Sequence, residues 1–221
     1  MQSTMEVSSK PASDARSGYH HGDLRIALLE SAEAELREKG IEGFSLRGVA
    51  KRAGVSHAAP AHHFSDANGL LSALAAVGFE RFLARQRDFK DQAGGSPEDQ
   101  IRAATLGYVN FALENPALFR LMFSSDRPDF ATEALDMASS AGFTALVKDI
   151  ERLCGADPYT DQRAMRQVSA TWALAHGMAD LLCSGRLKMV GQLDPGARNA
   201  EIAAIMGLLL DAHGNCRIGR D

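Results

Sequence analysis

Three histidines, His57, His62 and His63, crowd the stretch GVSHAAPAHHF at residues 54–64. Imidazoles at close range are the side chains of metal centres and of acid–base chemistry near neutral pH. Their spacing argues against both uses. His57 and His62 stand five apart and His63 six from His57, so the i,i+4 pair that sets two imidazoles on one helical face is absent. Asp66 is the single nearby carboxylate, and no cysteine joins them. The three cysteines, Cys154, Cys183 and Cys216, are dispersed and outside any CxxC pattern, which fits inert thiols in a reducing compartment. A Gly-rich phosphate loop, a nucleophile elbow and a paired His/Glu helix motif are all missing. The expectation is a chain with no metal, no cofactor and no enzymatic activity.

The elements that would position these histidines come from the pattern of the whole chain. Its 221 residues are 45% hydrophobic and 24% charged with a formal net charge of −4, the balance of a soluble globular protein. A small basic face on such an acidic body is still compatible with nucleic acid. Residues 1–17, rich in Ser and charge, read as a disordered tail and lack the apolar core of a secretory signal. The longest apolar run, Ala203 to Leu210, is far short of the ~20 residues that cross a bilayer. A cytoplasmic location without membrane attachment is expected.

Helical periodicity dominates, and the predicted fold is all-α. Leu24, Ala27, Leu28, Ser31, Ala32 and Leu36 mark one face of a first helix, capped by Asp23 and stopped at Gly40. Ser45 can cap a short second helix ending at Gly54, and Ser56 or His57 can cap a third. Further helices are expected from about Asp66, after Gln92–Asp99, from Pro116, over about Asp129–Leu153, 162–184 and 196–213. The reading divides the chain into the tail at 1–17, a small helical unit at 18–66, a larger bundle at 67–214 and a C-terminal tail at 215–221.

Two short helices joined by a three-residue turn with glycine first have the spacing of a helix-turn-helix. Ala50 is small where the helices must cross, and Gly54 can take the positive φ of a sharp turn. The run "LLESAEAELREKGIEGFSLRGVAKRAGVSHAAPAHHFSDANGLL" resembles the N-terminal region of TetR-family bacterial transcriptional repressors over residues 19–82. The stretches "NPALFRLMFS" (115–124) and "TWALAHGMADLL" (171–182), with "YHHGDL" (19–24), resemble the WHG subgroup of that family. The resemblance implies a homodimer whose third helices enter successive major grooves of a near-palindromic double-stranded DNA operator. It implies that Ser45 and Arg47 lie at the DNA backbone and that Ser56 donates to a phosphate. His57, Ala58, Ala59 and His62 would face the groove, and Arg16 or Tyr19 through His21 would reach phosphate.

Two positions depart from the family pattern: Ala61 replaces a customary tyrosine and Ala67 a customary lysine. With seven Lys/Arg against six Asp/Glu between Arg16 and Phe64, these losses support a rival reading. In it, the same fold serves as a small-molecule or protein-interaction module without DNA binding. Restoring the contact by Ala61→Tyr is expected to tighten operator binding in a gel-shift titration.

The resemblance also implies an effector pocket and a dimer interface in the C-terminal half. Phe111, Phe119, Met122, Phe123, Phe143, Trp172 and His176 are the pocket candidates, matching a small apolar or aromatic effector. Thr171, Leu174, Met178 and Leu181 form one stripe of the penultimate long helix. Ile202, Ile205, Met206 and Leu209 lie on a last helix that is apolar on nearly every side. Together they are the interface candidates, beside a small-residue line of Ala170, Ala173, Gly177 and Ser184.

Overall fold

The computed structural model describes residues 21–211, with side chains from residue 24 to residue 210. Both predicted tails, the contacts expected of Arg16 and Tyr19 through His21, and Cys216 lie outside the described residues or side chains. The described chain is all helix: α1 (His21–Lys39), α2 (Leu46–Ala53), α3 (Ala59–Phe64), α4 (Ala67–Asp91) and α5 (Pro97–Glu114) come first. Then follow α6 (Pro116–Ser124), α7 (Glu133–Cys154), α8 (Gln162–Cys183), α9 (Lys188–Gly191) and α10 (Pro195–Asp211).

Local chemistry sets most of these boundaries. Gly40 closes α1 at φ 68°, and Gly54 closes α2 at φ 67° with its N–H donated to the Ala50 and Lys51 carbonyls. Ser45 Oγ accepts the Gly48 N–H at 3.1 Å, and Asp66 Oδ1 accepts that of Gly69 at 2.8 Å. Asp161 does the same for Ala164 at 2.8 Å at the head of α8. Three expectations shift. Asp23 lies inside α1 rather than before it, α7 begins at Glu133 rather than Asp129, and α9 interrupts the connection ahead of α10.

The long helix α4 is the spine. It packs along α5 and α7 and also receives α1, α3 and α6, while α5 packs on α8 and α10. One hydrophobic core runs through Leu28, Leu36, Val49 and Phe64 into Leu70, Leu71 and Leu74, and on to Phe111, Phe119 and Leu121. A second core, including Ile101, Val147, Ile150, Val168 and Met206, joins α5, α7, α8 and α10. Where α4 crosses α5, the two backbones meet at Gly107. A Cβ there would lie 2.5 Å from Gln86 Cα and 2.9 Å from the Arg85 carbonyl oxygen.

Polar contacts tie the α6–α7 loop to the N-terminal helices. Arg127 donates from Nε to Asn68 Oδ1 at 2.8 Å and from Nη1 to the Ile41 carbonyl, in the α1–α2 turn, at 3.3 Å. The Asp129 N–H donates to the buried Ser72 Oγ at 2.8 Å. Between α1 and α2, Arg52 grips Glu35 Oε2 at 2.7 Å and also binds Glu38. Glu35 is 5% exposed and rests against Gly48, where any Cβ would stand 2.0 Å from its Oε1.

Candidate functional site

The α2–α3 unit buries Val49, Ala50, Pro60 and Phe64 and leaves Ser45, Arg47, Ser56, His57, Ala58, Ala61 and His62 exposed, with Ala59 half-buried. The turn between them places α3 beside α4 and α2, and Gly69 allows the tight corner. A Cβ on Gly69 would fall 2.0 Å from the Phe64 carbonyl oxygen. Ser65 fills that corner with a positive φ of 64°. Neither Ser56 nor His57 is the cap of α3. Ala58 occupies that place, and the Ser56 carbonyl accepts the Ala59 N–H at 3.0 Å in the preceding turn. Pro60 is therefore the second helical residue, where its missing N–H has no helical partner to lose. His63 is half-buried beside Phe64, their rings 6.2 Å apart, and Arg25 lies over the other ring at 5.2 Å. Among the described residues no group of His, Cys, Asp or Glu could hold a metal ion.

A cavity of about 600 Å³ opens between α4, α5, α7 and α8. Phe79, Phe82, Tyr108, Phe123, Phe143 and Trp172 supply aromatic walls, and Phe130 and Ser125 bring in the α6–α7 loop. Of the predicted pocket residues, Met122, Phe123, Phe143 and Trp172 line it. Phe111 and Phe119, each 2% exposed, are core residues behind the wall: Phe119 stacks 4.9 Å from Phe123 and Phe111 5.5 Å from Phe82. His176 also stands behind the wall, its Nδ1 2.8 Å from Tyr108 Oη and its ring 5.4 Å from Phe123. Burial raises the Tyr108 phenol well above its usual range, so it remains protonated.

At one end the cavity meets Asp149, 4% exposed, whose two carboxylate oxygens each accept from Lys90 Nζ at 2.8 Å. Arg152 adds a longer contact of 3.2 Å. Thr171 Oγ1 and both amide atoms of Gln167 are buried without a protein hydrogen-bond partner.

Sequence reasoning missed Phe79, Phe82 and Tyr108. The signal for Phe79 and Phe82 was their i,i+3 step on α4, which continues the apolar stripe of that helix.

The interface candidates fall into two groups. Thr171, Met178, Ile202 and Met206 are at most 5% exposed and pack inside the protomer, Thr171 in the cavity wall. Leu174, Ile205 and Leu209 are half-buried against the cores. Leu181 is 39% exposed, and Leu208 of α10, 73% exposed, was not among the candidates. On α8, Ala173 and Ser184 are exposed beside the half-buried Ala170 and Gly177. Among the described residues no helix is long and apolar enough to cross a membrane.

Residues 28–74 match the family described as bacterial regulatory proteins, tetR family, and residues 101–212 match the tetracyclin repressor-like C-terminal domain. A protein of unknown function from Rhodococcus sp. RHA1 is 31% identical, with TM-score 0.73 over 89% of this chain and 98% of that one. A TetR variant from Acinetobacter baumannii AYE in complex with minocycline shares the fold at 18% identity. Its TM-score is 0.57, over 90% of this chain and 98% of that one. The HTH-type transcriptional regulator BetI of Yersinia pestis is 31% identical over 123 residues, which cover 47% of this chain and 61% of BetI. The chain thus spans about three-fifths of the length of the curated relatives it matches, 61%. With an N-terminal match across the helix-turn-helix and a C-terminal match across the cavity-bearing bundle, the chain belongs to the tetR family of bacterial regulatory proteins.

Proposed function

We propose that this chain is a dimeric transcriptional repressor that binds a near-palindromic operator through α2 and α3 and leaves it when a small apolar or aromatic effector fills the cavity. The observation that carries the reading is the split face of the α2–α3 unit. Its apolar side chains are buried on α1 and α4, while Arg47, His57, Ala58 and His62 are exposed together. Arg47 and the α2 N-terminus suit phosphate, and His57 with the methyl groups of Ala58 and Ala59 suits base edges. Dimerisation through α8 and α10 is supported by the exposed Leu181 and Leu208 and by the small residues Ala170, Ala173 and Gly177 on the outer side of α8. The WHG-type assignment is supported by the cavity itself. Met122 and Phe123 come from the first of its quoted stretches and Trp172 from the second.

The test is footprinting on the DNA upstream of the chain's own gene. Protection of a two-fold related site, lost steeply between about 50 and 200 mM salt, is expected. Absence of protection at low salt would favour the module without DNA binding.

A further inference from the structure

Resting on the reading of the cavity as the effector site, the charges around it define what can enter. Among the described residues that line it there is no lysine, arginine or histidine, and one carboxylate, Asp149. The remaining polar lining, which includes Gln86, Thr105, Tyr108, Ser139 and Thr171, is uncharged. An anion would thus lose its hydration opposite a carboxylate, with no free cation to meet it.

A cation would at first sight be welcome, given aromatic faces and a buried acid. That acid is already occupied. Lys90, reaching in from α4, places Nζ 2.8 Å from both Asp149 oxygens, with its side chain 19% exposed and that of Asp149 5%, while Arg152, 59% exposed, adds a longer contact of 3.2 Å to Oδ1 that water screens. A buried pair in this geometry is hard to break, because removing one partner strands the other charge in a medium of low polarity. An entering ammonium would have to displace Lys90 or sit beside its charge.

We propose that Lys90 acts as a built-in counter-ion that sets the ligand class: it neutralises Asp149 so that the cavity admits uncharged, largely apolar molecules and rejects both ions. The ligand is a neutral compound of about two rings or more, and the selectivity lies in a residue outside the cavity wall. A cavity with the same aromatic lining and no Lys90 would prefer organic cations.

The experiment uses the full chain and its single tryptophan, Trp172, which lines the cavity. Emission on excitation at 295 nm is titrated with trans-4-phenylcyclohexanol, trans-4-phenylcyclohexanecarboxylate and trans-4-phenylcyclohexylammonium at pH 7. The alcohol is expected to bind at least tenfold more tightly than either ion. In Lys90→Met the ammonium is expected to gain at least tenfold relative to the alcohol, and the double variant Lys90→Met/Asp149→Asn to lose that gain. Either ion binding the wild type as tightly as the alcohol overturns the proposal, whether or not Lys90→Met folds. So does a folded Lys90→Met that keeps the wild-type order. If none of the three probes perturbs Trp172 up to their solubility, the cavity reading itself fails and takes the proposal with it.

Discussion

Replacing Gly107 by alanine tests whether α4 and α5 are held at backbone contact. Alanine normally stabilises a helix interior relative to glycine by about 0.5–1 kcal/mol. At Gly107 the new Cβ would meet Gln86 Cα at 2.5 Å, the Arg85 oxygen at 2.9 Å and the Gln86 nitrogen at 3.0 Å. Carbon atoms pack at about 3.5–4.0 Å, so the helices must part by roughly 1 Å. No side chain can swing aside, since all three obstacles are backbone. Overpacking of this kind costs about 1–3 kcal/mol. The upper part of that range applies, because Phe82 and Tyr108, in ring contact at 4.8 Å, would be parted with the helices. Set against the propensity gain, the net loss is about 1–2 kcal/mol, a fall in Tm of about 2–8 °C for a chain of this size. Thermal melts of both proteins at one matched concentration, followed by far-UV circular dichroism, measure it. A Tm equal to or above that of the wild type would refute the close-crossing argument.

Gly177→Ala is the opposite case, since a Cβ there meets nothing within 4 Å in the protomer. It is expected to stabilise the protomer by about 0.5–1 kcal/mol while raising the monomer fraction in sedimentation equilibrium, and an unaltered dimer would remove the small-residue seam from the interface. Lys39 and Arg52 hold the Glu38 carboxyl down at about 2 against an ordinary 4.5. Its contribution is therefore complete above pH 4.5 and is lost as pH falls from there towards 2, so Glu38→Gln should flatten the Tm–pH curve in that window. Identical curves for the two proteins would show that the α1–α2 clamp does not titrate. Arg127→Gln, which loosens the α6–α7 loop from Asn68 and Ile41, is expected to weaken binding to the upstream DNA several-fold. Equal footprints at equal protein would refute that link.

What could be read from sequence follows the range of the interactions involved. Ser45, Gly54 and Gly40 act within three or four residues of themselves, so their roles as cap and stops were legible. The four-residue α9 is too short for any periodicity to mark it. An amphipathic stripe states that a face is buried without stating against what. Thr171 and Met178 accordingly carry the pattern of an interface while packing inside the protomer. Phe111, Phe119 and His176 show the same limit, since aromatic content identified the neighbourhood of the cavity and the helix crossings decided which rings line it.

The continuity of the main core has a consequence for how the molecule comes apart. Leu28, Leu36, Val49 and Phe64 bury themselves in the same cluster as Leu70, Leu71 and Leu74, with α4 running through both halves. Helices α1 to α3 have no separate interior to fall back on. A fragment ending at Ser65 would expose the apolar face that α4 covers, and a heated or urea-treated chain should lose its helix-turn-helix and cavity-bearing parts in one cooperative step. A molecule occupying the cavity would then raise the melting point of α2 and α3, tens of residues away in sequence, through shared folding cooperativity alone.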